Sequence, residues 1–403
     1  MGINRTPVRL ISPARGAYNV PAMDPVYLDH NATTPVDPRV TEAMVPWFTR
    51  AGNASSLHSF GRRSREAVEQ ARESVAGLLR VSPPEIVFTA SGTEANNAVL
   101  ATVAAAHEGG HLVVSAFEHP SVLAAASRLE ERGFAVSRVV PEPDGRVAPD
   151  AVAAALRRDT RLVCLMLANN EIGAVQPVAA AAALAHEMGI PVLCDAVQAV
   201  GKLRFVVPDL DVDYLTIGAH KFYGPLGAAA LWVRRGAEFS PLLVGGSHER
   251  HRRAGTLNVP ALAGFGKAAA LADAEVETWS AHMAVLRDRF EAGLGAIGDT
   301  VVHAAQAERL PNTSSVAFRG IDAEALMVRL DLAGFAVSTG SACSSGVVEV
   351  SETMKALGVG PAEAGASLRF SFGKDSSTEV IEPLLATLTH QVAALRNLSG
   401  VRR

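Results

Sequence analysis

Residues 191–227 read PVLCDAVQAVGKLRFVVPDLDVDYLTIGAHKFYGPLG. Two apolar runs stand in this stretch, PVLCDA (191–196) and YLTIGA (214–219). Each is followed at once by residues able to do chemistry: Asp195 and Gln198 after the first, His220 and Lys221 after the second. Short aliphatic runs bounded by turn residues predict buried strands. The same texture recurs outward from this stretch, in EIVFTA (85–90), HLVVSA (111–116), RLVCLML (161–167) and AAALWV (228–233). Alanine-rich helical stretches lie between, at 94–106, 121–132, 150–157 and 178–188. Strand–helix alternation of this kind predicts an α/β domain, a mostly parallel sheet covered by helices on both faces. After about residue 262 the pattern changes. A long helical stretch (262–294) is followed by a strand candidate (314–320), a helix (323–332), a Gly/Ser-rich loop (338–346) and a strand candidate (367–372), which predicts a smaller α+β domain.

The chain has 403 residues, 48% hydrophobic and 19% charged, with a formal net charge of −4. That length holds one large domain and a smaller one, and the charge balance gives no reason to expect nucleic acid or an anionic membrane as partner. No apolar run is long enough to span a bilayer. The three cysteines, Cys164, Cys194 and Cys343, form neither a CxxC pair nor a zinc spacing, so no metal site is expected. Sparse, odd cysteines fit a reducing compartment, and a cytoplasmic location is expected. Residues 1–24 carry Arg5, Arg9 and Arg15 among prolines and no acid before Asp24. They are expected to be a disordered extension, with Met23 an alternative start.

Five predicted strand ends carry polar residues. A lone lysine in a loop is usually a surface residue, but Lys221 sits where ligands bind in open α/β sheets. Asp195 can hold the proton of a heterocyclic nitrogen or cap a helix, and Gln198 can donate to a ligand oxygen or complete a capping box. In ASGTEANN (90–97), Gly92 permits a tight turn, and the Thr93 hydroxyl with the amides of Thr93 and Glu94 can cup an anion at a helix start. His119, in FEHPSV (117–122), can stack on a ring and shuttle protons. Asn170, in ANNEIGAVQP (168–177), is a turn former or a ligand for a carboxylate or for the oxygen of a cofactor ring. Cys164 and Cys194 lie inside apolar strands and read as core thiols, whereas Cys343, in STGSACSSG (338–346), sits in a loop suited to a working thiol. Arg369, in SLRFSFG (367–373), can fork a carboxylate.

These motifs in this order resemble the cysteine desulfurases of the NifS/IscS-like group, within the class V aminotransferases. The matching stretches include YLDHNATTPVDPRV (27–40), GNASSLHSFGR (52–62), NNEIGAVQP (169–177), CDAVQAVGK (194–202), HKFYGPLG (220–227) and GTLNVPAL (255–262). The resemblance implies a type I pyridoxal-phosphate (aspartate aminotransferase-like) fold and a homodimer. It further implies a large cofactor-binding domain over 37–265 and a small domain made of 25–36 and 266–403. Lys221 would be the Schiff-base lysine for pyridoxal 5'-phosphate. Asp195 would hold the ring nitrogen, Gln198 the ring oxygen, and His119 would stack on the ring. Gly92, Thr93 and His220 would bind the phosphate, and Thr256 the phosphate of the neighbouring subunit. Asn170 and Arg369 would hold the carboxylate of L-cysteine. Cys343 would take its sulfur as a persulfide and pass it to an acceptor protein serving iron–sulfur clusters or thio-cofactors.

Two departures stand out. Gly218 replaces a serine that the family uses for phosphate, which predicts weaker cofactor retention, and Ala54 replaces a loop proline. A selenocysteine lyase or related β-lyase on the same scaffold is the alternative enzyme reading. A non-enzymatic scaffold is the third, opposed by Lys221, Asp195, His119 and Cys343 occurring together.

Overall fold

The structure is a computed structural model that describes residues 25–339 and 350–398. The extension 1–24 and Cys343 lie outside the described residues.

The predicted α/β layer is a seven-stranded sheet. In spatial order its strands are Ile86–Thr89, Ala229–Val233, Tyr214–Gly218, Val192–Asp195, Thr160–Cys164, Gly110–Ser115 and Phe134–Val139. All neighbouring pairs are parallel except those made by Ala229–Val233, which runs against both its neighbours. Its registers bring Thr89 and Gly218 to opposite sides of the same residue, Ala229. The carboxyl ends of Ile86–Thr89, Tyr214–Gly218 and Val192–Asp195 therefore share one edge, which is where such sheets take ligands. Every residue of these three strands is buried, because helices cover both faces.

A second, three-stranded antiparallel sheet pairs Thr313–Phe318 with Ser367–Ser371 and Thr300–Val302. The helix Val259–Gly293 joins the two regions. Its Phe265, Trp279 and Met283 pack into the core of the large sheet, and its Leu286 and Phe290 into that of the small one. Near the start of the described chain, Val26–Tyr27 pairs in parallel with Phe335–Ala336. The chain then crosses to the carboxyl edge of the large sheet. Along this crossing His30 donates its amide to Ser371 O (3.2 Å) and Thr34 donates its own to His220 O (2.9 Å).

Candidate active site

The carboxyl edge of the large sheet opens into a cavity of about 170 Å³. Its wall includes Gly92, Thr93, His119, Asn170, Asp195, Gln198, His220 and Lys221. Eight candidates spread over 130 positions of sequence thus face one space. Arg369 reaches its rim through Asn170, whose carbonyl accepts from Arg369 Nη1 (3.0 Å). Thr256 does not line this cavity and is exposed on a separate loop. A larger cavity of about 280 Å³ lies beside Arg72 and Arg250, but its buried charges pair with each other, Arg72 with Glu249 at 2.7 Å.

Asp195 ends its strand with the carboxylate buried. Oδ1 accepts from the Val197 amide (3.0 Å) and Oδ2 from Asn96 Nδ2 (2.7 Å). No helix follows; the chain goes through turns, so the helix-capping alternative for Asp195 and Gln198 does not apply. Asn96 Nδ2 also donates to Ser121 Oγ (2.9 Å), which lies 2.8 Å from His119 Nδ1. The Ser121 backbone amide donates to that same Nδ1 (3.1 Å). An amide N–H can only donate, so Nδ1 is an acceptor and the ring proton sits on Nε2. Burial lowers the His119 pKa and keeps the ring neutral. A chain of hydrogen bonds thus runs from the Asp195 carboxylate through Asn96 and Ser121 to the imidazole.

Lys221 lies in a single turn after Tyr214–Gly218. Its Nζ donates to the carbonyls of Asn31 (2.6 Å) and Ala32 (2.7 Å). Burial, and then repulsion by Arg369, lower its pKa to about 8, so a sizeable share of the amine is neutral near pH 8. His220 is pushed down to about 4, first by burial and then by Lys221 and Lys202.

The helix Gly92–Ala106 starts at the cavity with Ser91 as its cap. Ser91 Oγ accepts from the Glu94 amide at 3.1 Å. The Glu94 amide is therefore not available for an anion, against the sequence expectation; side-chain capping takes it first. The amides of Gly92 and Thr93 remain. A Cβ on Gly92 would lie 3.0 Å from Val197 Cγ2, so a larger residue there would press on the cavity wall.

Arg369 is buried at 5% exposure in Ser367–Ser371, not turned to solvent as strand arginines usually are. Nη2 donates to Asp29 Oδ1 (2.6 Å), and Nε is buried without a partner among the described residues. Of its five N–H donors two have partners among the described residues, and a buried guanidinium with donors to spare suits a carboxylate.

The donor set fits pyridoxal 5'-phosphate. A buried carboxylate, a lysine of depressed pKa, a neutral imidazole and a helix start opened by glycine all meet in one cavity. Sequence reasoning missed Asn31, Asn96, Ser121 and Lys202. All four fall in or beside the quoted motifs, but nothing in the local pattern marks them as buried at the site.

A model of the aminotransferase class-V family matches residues 26–384. The chain belongs to that family, among its cysteine desulfurases, and has the α/β fold of the type I pyridoxal-phosphate enzymes. It is 44% identical over 384 residues to a protein of Anaeromyxobacter dehalogenans (strain 2CP-C) named cysteine desulfurase IscS, covering 93% of this chain and 94% of that one. A cysteine desulfurase of Bradyrhizobium diazoefficiens is 42% identical over 375 residues, covering 92% and 95%. Among solved structures, a NifS-like protein superposes with a TM-score of 0.87 at 35% identity, covering 92% of this chain and all of the other. DndA from Streptomyces lividans superposes at 0.74 with 36% identity, covering 88% and 99%.

Proposed function

We propose that this protein is a pyridoxal-phosphate-dependent cysteine desulfurase, which converts L-cysteine to L-alanine and holds the sulfur on Cys343 as a persulfide. The observation that carries this reading is the convergence of Lys221, Asp195, Gln198 and His119 on one cavity, beside the buried Arg369. Pyridoxal 5'-phosphate, when bound, supplies an electron sink for the charge left at the substrate α-carbon.

The residues then divide the work. Asp195 keeps a proton on the ring nitrogen, and Gln198 donates to the ring oxygen. His119 stacks on the ring. Gly92 and Thr93, with His220, hold the phosphate, and Thr256 serves the phosphate of a second subunit in a homodimer. Arg369 and Asn170 take the substrate carboxylate. Lys221, neutral in part near pH 8, takes the α-proton. The Cys343 thiolate attacks the substrate sulfur. A sulfur–sulfur bond forms, the carbon–sulfur bond breaks with its electron pair staying on carbon, and that carbon gains a proton on the way to alanine. The persulfide passes to an acceptor protein in the cytoplasm.

The test is production of alanine and sulfide from L-cysteine with a thiol reductant, by protein reconstituted with pyridoxal phosphate, wild type beside Cys343→Ser. Equal amounts of the two products, lost in the variant, are expected. Sulfide release that survives the substitution would replace the persulfide route by β-lyase chemistry.

A further inference from the structure

Lys202 is a buried lysine, 3% exposed, with no carboxylate among its hydrogen-bond partners in the described residues. Its Nζ donates to Gln198 Oε1 at 2.6 Å and to Asn31 Oδ1 at 3.1 Å. Burying an amine is costly unless it is well bonded, so its presence here calls for a function.

The orientation of both amides follows from their partners. Asn31 Nδ2 donates to the Asn170 carbonyl (3.1 Å) and to Thr313 Oγ1 (2.9 Å), and Asn31 Oδ1 also accepts from Asn312 Nδ2 (3.0 Å). A carbonyl cannot donate, so Asn31 turns its oxygen toward Lys202. Gln198 turns its own oxygen the same way. Its Nε2 then points back, with one N–H on the Asn31 carbonyl (2.9 Å) and the other left for the cavity that Gln198 lines.

We propose that Lys202 is a positioning residue for Gln198: by holding the Gln198 carbonyl oxygen it presents an amide N–H to the cofactor ring oxygen. Without Lys202 only the Asn31 carbonyl opposes turning the amide oxygen to the cavity, where it would face the ring oxygen lone pair to lone pair. The backbone that carries Lys202 is closely packed. Gly201 has φ +73°, and a Cβ there would meet Phe222 Cβ at 2.4 Å, so the residue before Lys202 must be glycine. Burial, with repulsion from Lys221 and Arg369, depresses the Lys202 pKa, which limits the charge placed beside the site. Even a neutral amine keeps two N–H bonds, one for each of its two acceptors.

The inference rests on the cofactor assignment above, and one experiment separates the two. Wild type, Lys202→Met, Gln198→Met and the double variant are incubated with pyridoxal phosphate. The visible band of each is then titrated against pH, and cofactor affinity is measured. Arg369, Asp195 and Asp29, the charged groups that act on Lys221, and His119 are the same in every variant. Losing a donor to the ring oxygen favours the protonated form, so the midpoint rises by about one pH unit, the worth of one hydrogen bond. Lys202→Met is expected to shift the midpoint as Gln198→Met does, and the double variant to shift it no further. A Lys202→Met midpoint equal to wild type, or additive shifts, would overturn the proposal. A colourless wild type would overturn the cofactor reading itself, and the inference with it. Gln198→Glu covers the case in which Lys202→Met does not fold, since it leaves Lys202 in place and sets a carboxylate against it. It should melt above Gln198→Met and show the same raised midpoint. Melting below Gln198→Met would mean that Lys202 does not hold this side chain.

Discussion

Gly218→Ser should tighten cofactor binding, and the structure sets the size of the gain. Gly218 ends its strand with φ −129° and ψ 125°, extended backbone open to any residue. A Cβ built there lies 3.6 Å from His220 Cδ2 and 3.7 Å from Val197 Cγ1, ordinary contact distances. Both neighbours line the cavity, and Val197 also packs over Gly92 at the helix start. A seryl Cβ therefore fits at ordinary contact distances, on the side expected to hold phosphate. A hydrogen bond to a charged group contributes about 1.5–3 kcal/mol, which is roughly ten- to hundred-fold in Kd. In the cofactor-free protein the same hydroxyl gains no such partner, so the melting temperature should rise more with cofactor than without. The assay is cofactor affinity by equilibrium dialysis, together with paired melting curves. Gly218→Ala is the control, because it adds the Cβ and the backbone restriction but no hydroxyl. A Gly218→Ser affinity equal to that of Gly218→Ala would refute the reasoning, since it would mean that the hydroxyl meets no phosphate.

Other outcomes follow from the same geometry. The rate at which cofactor-free protein takes up pyridoxal phosphate should rise with pH and level off above about 8, because the amine must be neutral and burial lowers the Lys221 pKa to that value; a rate still climbing toward the ordinary lysine value of 10.5 would contradict it. Asp195→Asn should move that midpoint lower, since the carboxylate is one of the groups that raises the Lys221 pKa. Glu249→Ala should cost about 3–5 kcal/mol in denaturant unfolding, because it strands the buried Arg72 guanidinium; Arg72→Met in the same chain should recover part of that loss, and no recovery would assign the cost to backbone instead. In ¹⁵N-histidine spectra the His119 Nδ1 should carry the signature of an unprotonated nitrogen and Nε2 that of a protonated one, and the reverse pattern would break the Asp195–Asn96–Ser121–His119 chain.

The parts of the site that could be read from sequence are those where a functional residue directly follows its own strand. Asp195 and Lys221 are of this kind, because an apolar run announces the strand and the strand end announces the edge. The strand Phe134–Val139 escaped notice for the converse reason. It is the sheet's edge, its central residues are half-exposed, and FAVSRV lacks a continuous apolar run. The helix Ser59–Leu79 is rich in charge along its solvent side and was likewise not expected. Ser121 and Asn96 act through long-range contacts, 25 and 99 positions apart in sequence from their partners, and no local pattern encodes such distances. Lys202 defeats sequence reading for a physical reason: lysine is almost never buried, so composition argues for the surface.

The segment 29–34 explains why the site needs both sheets. Asn31 donates its amide to Ser371 Oγ (3.0 Å) in the small sheet, and its carbonyl accepts from Gln198 and Lys221 at the edge of the large one. Its side chain meanwhile joins Lys202 to Thr313 and Asn312. Two residues earlier, Asp29 pairs with Arg369 (2.6 Å). The two groups proposed to act on the substrate, Lys221 at its α-carbon and Arg369 at the adjoining carboxylate, are thus both held by one short stretch of backbone and side chain. A displacement of that stretch alters the positions of both together. The Lys221 nitrogen rests on the Asn31 and Ala32 carbonyls, which a substrate that draws it away must displace, and a substrate carboxylate must compete with Asp29 for Arg369 or use its remaining N–H donors. The segment that builds the site is therefore also what its ligands must work against, which places control of ligand binding in residues that the motifs around Lys221 and Asp195 do not contain.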